Sequence, residues 1–171
     1  DFVKELNRYY LEHPEMYDLD CSYDGFKWIC VDDNTQNIVS FKRVDEKGEY
    51  TVVVVNFSPV RRQSYCMGVP EMRKYKVVLD SNDVRFGGDD AELPEYTAED
   101  GEMHGMEQFI RMDIPANSVL YLKPGKAVKR KKRAEKPSAK EDAKAESGAK
   151  TAKTAEKKAV AKKGGKEKTD K

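Results

Sequence analysis

The sequence of 171 residues has no long hydrophobic run and few cysteines. No apolar stretch approaches the roughly 18 residues of a membrane-spanning helix, and residues 1–20 lack the basic-then-apolar pattern of a signal peptide. We therefore expect a soluble, cytoplasmic protein without membrane contact. The three cysteines, Cys21, Cys30 and Cys66, fit neither a Cys-X-X-Cys metal pair nor a disulfide framework. This spacing predicts free thiols, and we expect neither a metal nor a cofactor.

Aromatic residues are missing from residues 126–171, because all nine Tyr, all six Phe and the single Trp come earlier. Charge divides at the same point, with a net charge of −10 for residues 1–125 and +11 for residues 126–171. Only the first segment can build a hydrophobic core, so the second is predicted to be a disordered Lys/Ala-rich basic tail. About 125 residues are also too few for a complete (β/α)₈ barrel, which needs about 250.

The spacing of apolar residues predicts one helix followed by strands. Phe2, Val3, Leu6, Tyr9, Tyr10 and His13 recur at spacings of 3 and 4, which indicates one amphipathic helix that ends at Pro14. Beyond Phe26 the period changes to two, and seven segments are predicted strands: 26–31, 37–43, 50–57, 64–68, 75–79, 107–113 and 117–122. The chain is therefore predicted to be mainly β, an antiparallel sandwich of about seven or eight strands with one N-terminal helix. The run Val52–Val55 should lie centrally, and residues 80–105 should form a long acidic loop.

Two sets of carboxylates were considered as catalytic groups. Asp32 and Asp33 are adjacent, but neighbours point in different directions, whereas a retaining glycosidase pair must face across a substrate at about 5 to 5.5 Å. We interpret them as turn residues. Arg43 and Asp45 have the Arg-X-Asp spacing of an amylase nucleophile strand, yet Asp45 opens a solvated hairpin turn. We expect this match to be a coincidence.

The two histidines have no companions at catalytic or metal spacing. His13 stands at the predicted end of the helix, and no second ligand follows at a spacing that binds metal. His104 lies between Met103 and Gly105, with no partner serine or cysteine in an evident nucleophile elbow. Both are interpreted as structural residues.

The aromatic residues before residue 70 suggest a possible sugar-stacking surface. Trp28, with Tyr23, Phe26 and Tyr65, could present ring faces to glucose. On an alternating strand Phe26 and Trp28 share one face, and we predict that this face is buried.

The cluster Lys129-Arg130-Lys131-Lys132-Arg133 begins the basic segment. Such a run could contact polyanions weakly and without sequence preference. It lacks aromatic residues for stacking on bases, so a solvating tail is the preferred interpretation.

From the first helix to Pro124 the chain resembles the C-terminal end of bacterial 1,4-α-glucan (glycogen) branching enzymes. The resemblance is carried, in family order, by these stretches: LNRYY (6–10) with HPEMYDLD (13–20), GFKWICVDD (25–33) with IVSFKR (38–43), VVVVNFSPV (52–60), YCMGVP (65–70), VLDSND (78–83) with FGG (86–88), HG (104–105) and IPANSVLYLKP (114–124). Two segments depart from the family pattern, namely DDAELPEY (89–96) and the Lys/Ala tail.

The resemblance implies that residues 1–20 close a catalytic barrel absent from this sequence, and that 21–125 form an amylase-type C-terminal all-β domain packed against it. Residues 126–171 would follow as the disordered tail. Enzymes of this family act in glycogen biosynthesis: they cut an α-1,4 glucan and rejoin it as an α-1,6 branch. Their catalytic carboxylates lie in barrel motifs that have no counterpart here. The resemblance therefore implies α-glucan as a substrate of the parent enzyme, and no catalytic residue in this chain.

Two other classes of function stay open from the residues. A free-standing glucan-binding module would need an exposed aromatic platform. A polyanion-binding protein would need only the charge of the tail.

Overall fold

The structure, a computed structural model, describes residues 1–130, and these contain one α-helix and nine β-strands. The elements are α1 (Phe2–Glu12), β1 (Phe26–Asp33), β2 (Ile38–Val44), β3 (Tyr50–Asn56), β4 (Arg62–Gly68), β5 (Arg73–Asp80), β6 (Glu95–Thr97), β7 (Glu99–Met103), β8 (Met106–Ile114) and β9 (Ser118–Ala127). Three short 3-10 helices, Pro14–Met16, Tyr23–Gly25 and Val84–Phe86, join them. The prediction of a mainly β fold with one N-terminal helix is confirmed.

The strands form two antiparallel sheets. The larger sheet has the order β1-β2-β3-β9-β5-β6, and the smaller has the order β4-β8-β7. Strand β3 lies inside the larger sheet, between β2 and β9. Val52, Val53 and Val54 are all buried, which confirms the central position expected for an uninterrupted apolar strand.

The main core lies between the sheets and is built from alternating residues of their facing surfaces. Its fully buried members include Val52 and Val54 of β3, Val77 of β5, Ile110 of β8 and Leu122 of β9. A strand places every second side chain on the same face. Val53, also buried, is not part of this cluster and therefore lies on the outer face of the larger sheet.

Strands β6 and β7 occupy the segment 80–105 that was predicted to be a loop. The segment does contain an irregular stretch, but β6 pairs with β5 and β7 pairs with β8. Both strands are short and polar, and their exposed residues give no alternating apolar signal. Their strand conformation depends on pairing with neighbours distant in sequence, which local propensity does not reveal.

The sandwich continues slightly beyond the predicted start of the tail. Strand β9 reaches Ala127, and the Val128 amide donates to the carbonyl of Met72 at 2.9 Å. The predicted tail beyond residue 130 lies outside the described residues. Within the described part, no helix is long and apolar enough to cross a membrane.

Candidate functional site

Helix α1 packs on the outer face of the larger sheet through one side only. Tyr9 is buried there, with its hydroxyl 2.7 Å from Thr51 Oγ1 and its ring 5.1 Å edge-on to Tyr121. Nearer the start of the helix, Phe2 meets Phe86 with ring centroids 5.2 Å apart. These contacts fix α1 across β3 and β9, whose paired residues Val53 and Tyr121 face it.

A buried carboxylate holds the segment that follows α1. Glu15 is 2% exposed, and its Oε1 accepts hydrogen bonds from Thr51 Oγ1 at 2.6 Å and from Lys123 Nζ at 2.5 Å. Burial opposes ionisation of this carboxyl and is the largest single influence on it. The hydrogen bonds from Lys123 and Thr51 outweigh that influence, so the pKa of Glu15 lies below its ordinary value. The segment is therefore held to both β3 and β9 by a charged group.

Arg43 of β2 makes a second connection to the same segment. Its guanidinium donates to the Met16 carbonyl at 2.9 Å and forms an ion pair with Asp20. An arginine fork can bind a carbonyl and a carboxylate together. The arginine of the Arg-X-Asp pattern thus has a structural role. This supports the interpretation that the similarity of the pattern to an amylase nucleophile strand is a coincidence.

The remaining surface of α1 is exposed and mixes apolar side chains with charged and amide ones. Val3 is 66% exposed and Leu11 is 74% exposed, and Tyr10 is exposed beside Tyr17, with ring centroids 5.4 Å apart. The sequence predicted one apolar stripe on this helix. The structure divides it, because Phe2 and Tyr9 face the sandwich whereas Val3 and Tyr10, seven residues apart, share a free side.

An aromatic cluster lies on the outer face of β1 and β2. Phe26 stacks on Phe41 at 4.9 Å, and Trp28 stands edge-on to Phe41 at 5.8 Å. The prediction that Phe26 and Trp28 share a buried face is wrong, since Trp28 is 52% exposed. Alternation correctly places both residues on one face, but it cannot tell which face of a sheet meets the core.

We name the exposed residues Val3, Tyr10, Leu11 and Trp28 the outer apolar surface. Isolated exposed apolar residues are ordinary on soluble proteins. Here three of them share one helix, and the fourth belongs to a cluster of three aromatic rings. Grouped apolar side chains of this kind offer contacts to another protein element.

Of the two adjacent carboxylates, Asp32 is exposed and Asp33 has structural partners. Asp32 and Asp33 belong to the end of β1 and not to the turn, which corrects the prediction. Asp33 nevertheless caps that turn, because its Oδ1 accepts from the Gln36 amide at 3.1 Å, and its Oδ2 accepts from Tyr65 Oη at 3.0 Å.

Asp45 is buried, although its turn was expected to be solvated. Its Oδ1 accepts from the amides of Lys47 and Glu49, at 2.9 and 2.8 Å. This arrangement closes the β2–β3 hairpin, as Asp side chains commonly do in turns. The carboxylate of Asp45 thus has a structural role in the hairpin.

Both histidines hold backbone segments in place. His13 stacks on Tyr9 with centroids 3.7 Å apart, and its Nδ1 lies 2.8 Å from the Tyr9 carbonyl. His104, at a positive φ of 51° between β7 and β8, accepts through Nδ1 from the Gly68 amide at 3.3 Å. Burial lowers the pKa of His104, which favours the neutral ring that can accept this bond.

The basic segment contacts the sandwich where it begins. Arg130 donates to Glu107 Oε2 at 2.7 Å and to Gln108 Oε1 at 2.8 Å. Lys131, Lys132 and Arg133 lie outside the described residues. Weak polyanion contact of this segment stays a prediction.

Sequence reasoning missed the most connected group of this region, Glu15. It appeared only as one acidic residue after Pro14, and its partners are 36 and 108 residues away. A local pattern does not report such separations. The available signal was the resemblance itself, since HPEMYDLD contains this glutamate.

Comparison with known proteins identifies a family for the sandwich and named relatives for most of the chain. The sequence model of the family described as "Alpha amylase, C-terminal all-beta domain" matches residues 28–125. The chain is 34% identical over 125 residues to the 1,4-alpha-glucan branching enzyme GlgB of Deinococcus radiodurans, covering 72% of the chain and 18% of that enzyme. It is also 34% identical over 125 residues to the enzyme of the same name from Rubrobacter xylanophilus, covering 72% and 17%. The chain thus matches less than a fifth of the length of these relatives.

Proposed function

Because the chain belongs to the family of alpha-amylase C-terminal all-beta domains, we propose that it is the C-terminal, non-catalytic part of a 1,4-α-glucan branching enzyme. Residues 1–20 would close the catalytic barrel, residues 21–125 would form the supporting sandwich, and residues 126–171 would follow as a basic tail. The parent would transfer α-1,4 glucan segments into α-1,6 branches in the cytoplasm, as part of glycogen biosynthesis.

The observation that carries this proposal is the position of α1. One side of the helix is fixed to the sandwich through Tyr9 and, just after the helix, through Glu15. The other side exposes Val3 and Leu11. The sandwich leaves these apolar side chains uncovered, and a second packed layer would bury them.

The outer apolar surface would be covered by the barrel. Fully burying a Val, Leu or Trp-sized side chain stabilises by roughly 1.5–3 kcal/mol. Contacts from Val3, Leu11 and Trp28 could therefore contribute several kcal/mol to holding the barrel against the sandwich. The sandwich would act by keeping the barrel folded, without touching the reacting glucan bond.

The chain's own residues support a non-catalytic role. Transfer with retention needs a nucleophile and an acid/base opposed across the substrate. Asp33 accepts a hydrogen bond from Tyr65, and Asp45 accepts from backbone amides within its hairpin. Both carboxylates are thus engaged in contacts within the sandwich, which supports a structural role for them.

The alternatives receive less support. A free-standing glucan-binding module would explain the exposure of Trp28, but not the exposed apolar side chains of α1. A polyanion-binding role depends on the basic segment, most of which lies outside the described residues. Both would also leave the family match over residues 28–125 without a functional context.

The proposal is tested by incubating the isolated chain with amylose and following α-1,6 linkages by proton NMR. The branching enzyme of Deinococcus radiodurans serves as the positive control. We expect branches only in the control. Enzyme-dependent branching by the chain itself would overturn its non-catalytic assignment.

A further inference from the structure

We propose that the hairpin of β7 and β8 carries a guanidinium-binding site that docks this chain's own basic segment, residues 129–133. The site consists of the Gln108 amide and the carboxylates of Asp100 and Glu107, and Arg130 occupies it. All of these groups belong to one chain, so the docking needs no catalytic barrel and no glucan.

Gln108 is the buried part of the site. It is 6% exposed, and its Nε2 donates to the carbonyls of Val69 at 2.9 Å and Pro70 at 2.7 Å. These two bonds use both amide protons and fix the orientation of the side chain. Oε1 is left as an acceptor, and Arg130 donates to it at 2.8 Å. Because a buried acceptor without a donor is costly, the fold provides a place for a donor at this position.

Two carboxylates make that place suitable for a cation. Glu107 Oε2 lies 2.7 Å from Arg130 Nη2, and Asp100 Oδ1 lies 3.5 Å from Arg130 Nε. A guanidinium is a planar fork with five donors, so it can contact an amide oxygen and two carboxylates together. A single exposed ion pair contributes little to stability. Here one guanidinium is held by three groups, and one of them is buried.

The chain reaches the site along a defined path from the other sheet. Strand β9 ends at Ala127, paired with β5, and the Val128 amide donates to the Met72 carbonyl at 2.9 Å. Arg130, two residues later, contacts β7 and β8. These residues therefore connect the larger sheet to the smaller one. The family match ends at residue 125, so the connection is an addition to the part that the family shares.

Charge favours the rest of the basic segment as the occupant of the surface around the site. Residues 99–107 include four carboxylates and no lysine or arginine, whereas Lys131, Lys132 and Arg133 directly follow Arg130. Three residues span at most about 10 Å, which equals the Debye length of about 10 Å at 0.1 M salt. These cations therefore stay within electrostatic reach of the hairpin. Their attachment beside it gives them a high effective concentration, which favours them over a second copy of the chain.

The test is ¹⁵N relaxation of the full chain at two salt concentrations. Flexible backbone has order parameters below about 0.6, and we expect residues 131–133 to exceed this value at about 0.02 M salt and to fall below it at about 0.5 M, where ion pairs are screened. Asp100→Asn combined with Glu107→Gln should lower the order parameters already at low salt. Glu46→Gln combined with Glu49→Gln, two exposed acids of the β2–β3 turn, changes the net charge equally and should leave them unaltered.

Three outcomes would overturn the proposal. The first is order parameters of residues 131–133 below about 0.6 in the unsubstituted chain at low salt. The second is an equal effect of the two double variants, which would show that net charge and not the site matters. The third is order parameters that rise with chain concentration, which would make a second copy the occupant. The amide signals of β3 report whether each variant is folded.

Discussion

Glu15 and Lys123, 108 residues apart in the chain, form an ion pair with Oε1 and Nζ 2.5 Å apart. Thr51 donates to the same oxygen at 2.6 Å. Strand β3, strand β9 and the turn after α1 therefore meet at one carboxylate. The position of α1 on the sandwich depends on this junction as well as on Tyr9.

Removing the cation alone should destabilise the fold. Lys123→Met leaves the Glu15 carboxylate buried without its charged partner, and we expect a loss of about 3 kcal/mol in unfolding free energy. Replacing both residues by Met should cost less than Lys123→Met alone. Lys126→Met, at an exposed position of the same strand, is the control. Urea unfolding measures the free energy of unfolding of all three variants. Equal losses for Lys123→Met and Lys126→Met would contradict a stabilising role of the Glu15–Lys123 ion pair.

The same carboxylate should make stability depend on pH. The pKa of Glu15 is lower in the folded chain than its ordinary value. Its contribution is therefore complete above the pKa of the unfolded chain and is lost as the pH falls through the folded pKa. The difference in unfolding free energy between the unsubstituted chain and the Glu15→Gln variant should shrink as the pH falls from about 6 to about 2. A constant difference would show that the ionised form is not the stabilising one.

Two adjacent glycines in the loop after β5 should respond differently to alanine. A Cβ on Gly88 would lie 2.0 Å from the Asn82 carbonyl oxygen, so Gly88→Ala must displace the loop, at a cost of about 3 kcal/mol. Gly87 has φ +91° and open space around it, so Gly87→Ala should cost only about 1 kcal/mol of backbone strain. Thermal unfolding of the two variants tests this order. The reverse order would contradict the close approach at Gly88.

The exposed side of α1 should make the isolated chain self-associate. Sedimentation velocity over a concentration series should show self-association of the unsubstituted chain. Val3→Lys combined with Leu11→Glu should abolish this association. Both side chains are exposed, so the fold should lose less than about 0.5 kcal/mol per substitution. Val84→Lys, an exposed valine in the loop after β5, should associate like the parent chain. A strictly monomeric parent chain would argue that this side needs no partner.

Patterns within a few residues were sufficient to predict α1 and the central strand β3. The alternation of β1 also placed Phe26 and Trp28 on one face. It could not show that this face points away from the core, because the period of a strand is the same on both sides. Strands β6 and β7 were not predicted, because their polar residues form strands only through pairing with β5 and β8.

The site was harder to predict than the fold. Glu15, Thr51 and Lys123 are ordinary residues in sequence, and only the folded chain brings them together. A cavity beside Asp80 is likewise lined by residues from five separate segments: 61–64, 77–80, 90–96, 111–115 and 120. The resemblance identified the domain from short motifs, but it assigned no residue to either place.

The supporting role of this domain is tested most directly by the branching activity of a chimera. The 125-residue segment of the Deinococcus radiodurans enzyme that matches this chain is replaced by the chain's corresponding segment, and α-1,6 linkages formed from amylose are counted. We predict that the chimera branches amylose and that the enzyme lacking the segment does not. We also predict that Leu11→Asp combined with Trp28→Asp, introduced into the chimera, abolishes its branching activity. Full activity of the enzyme without the segment, or of the doubly substituted chimera, would contradict the supporting role.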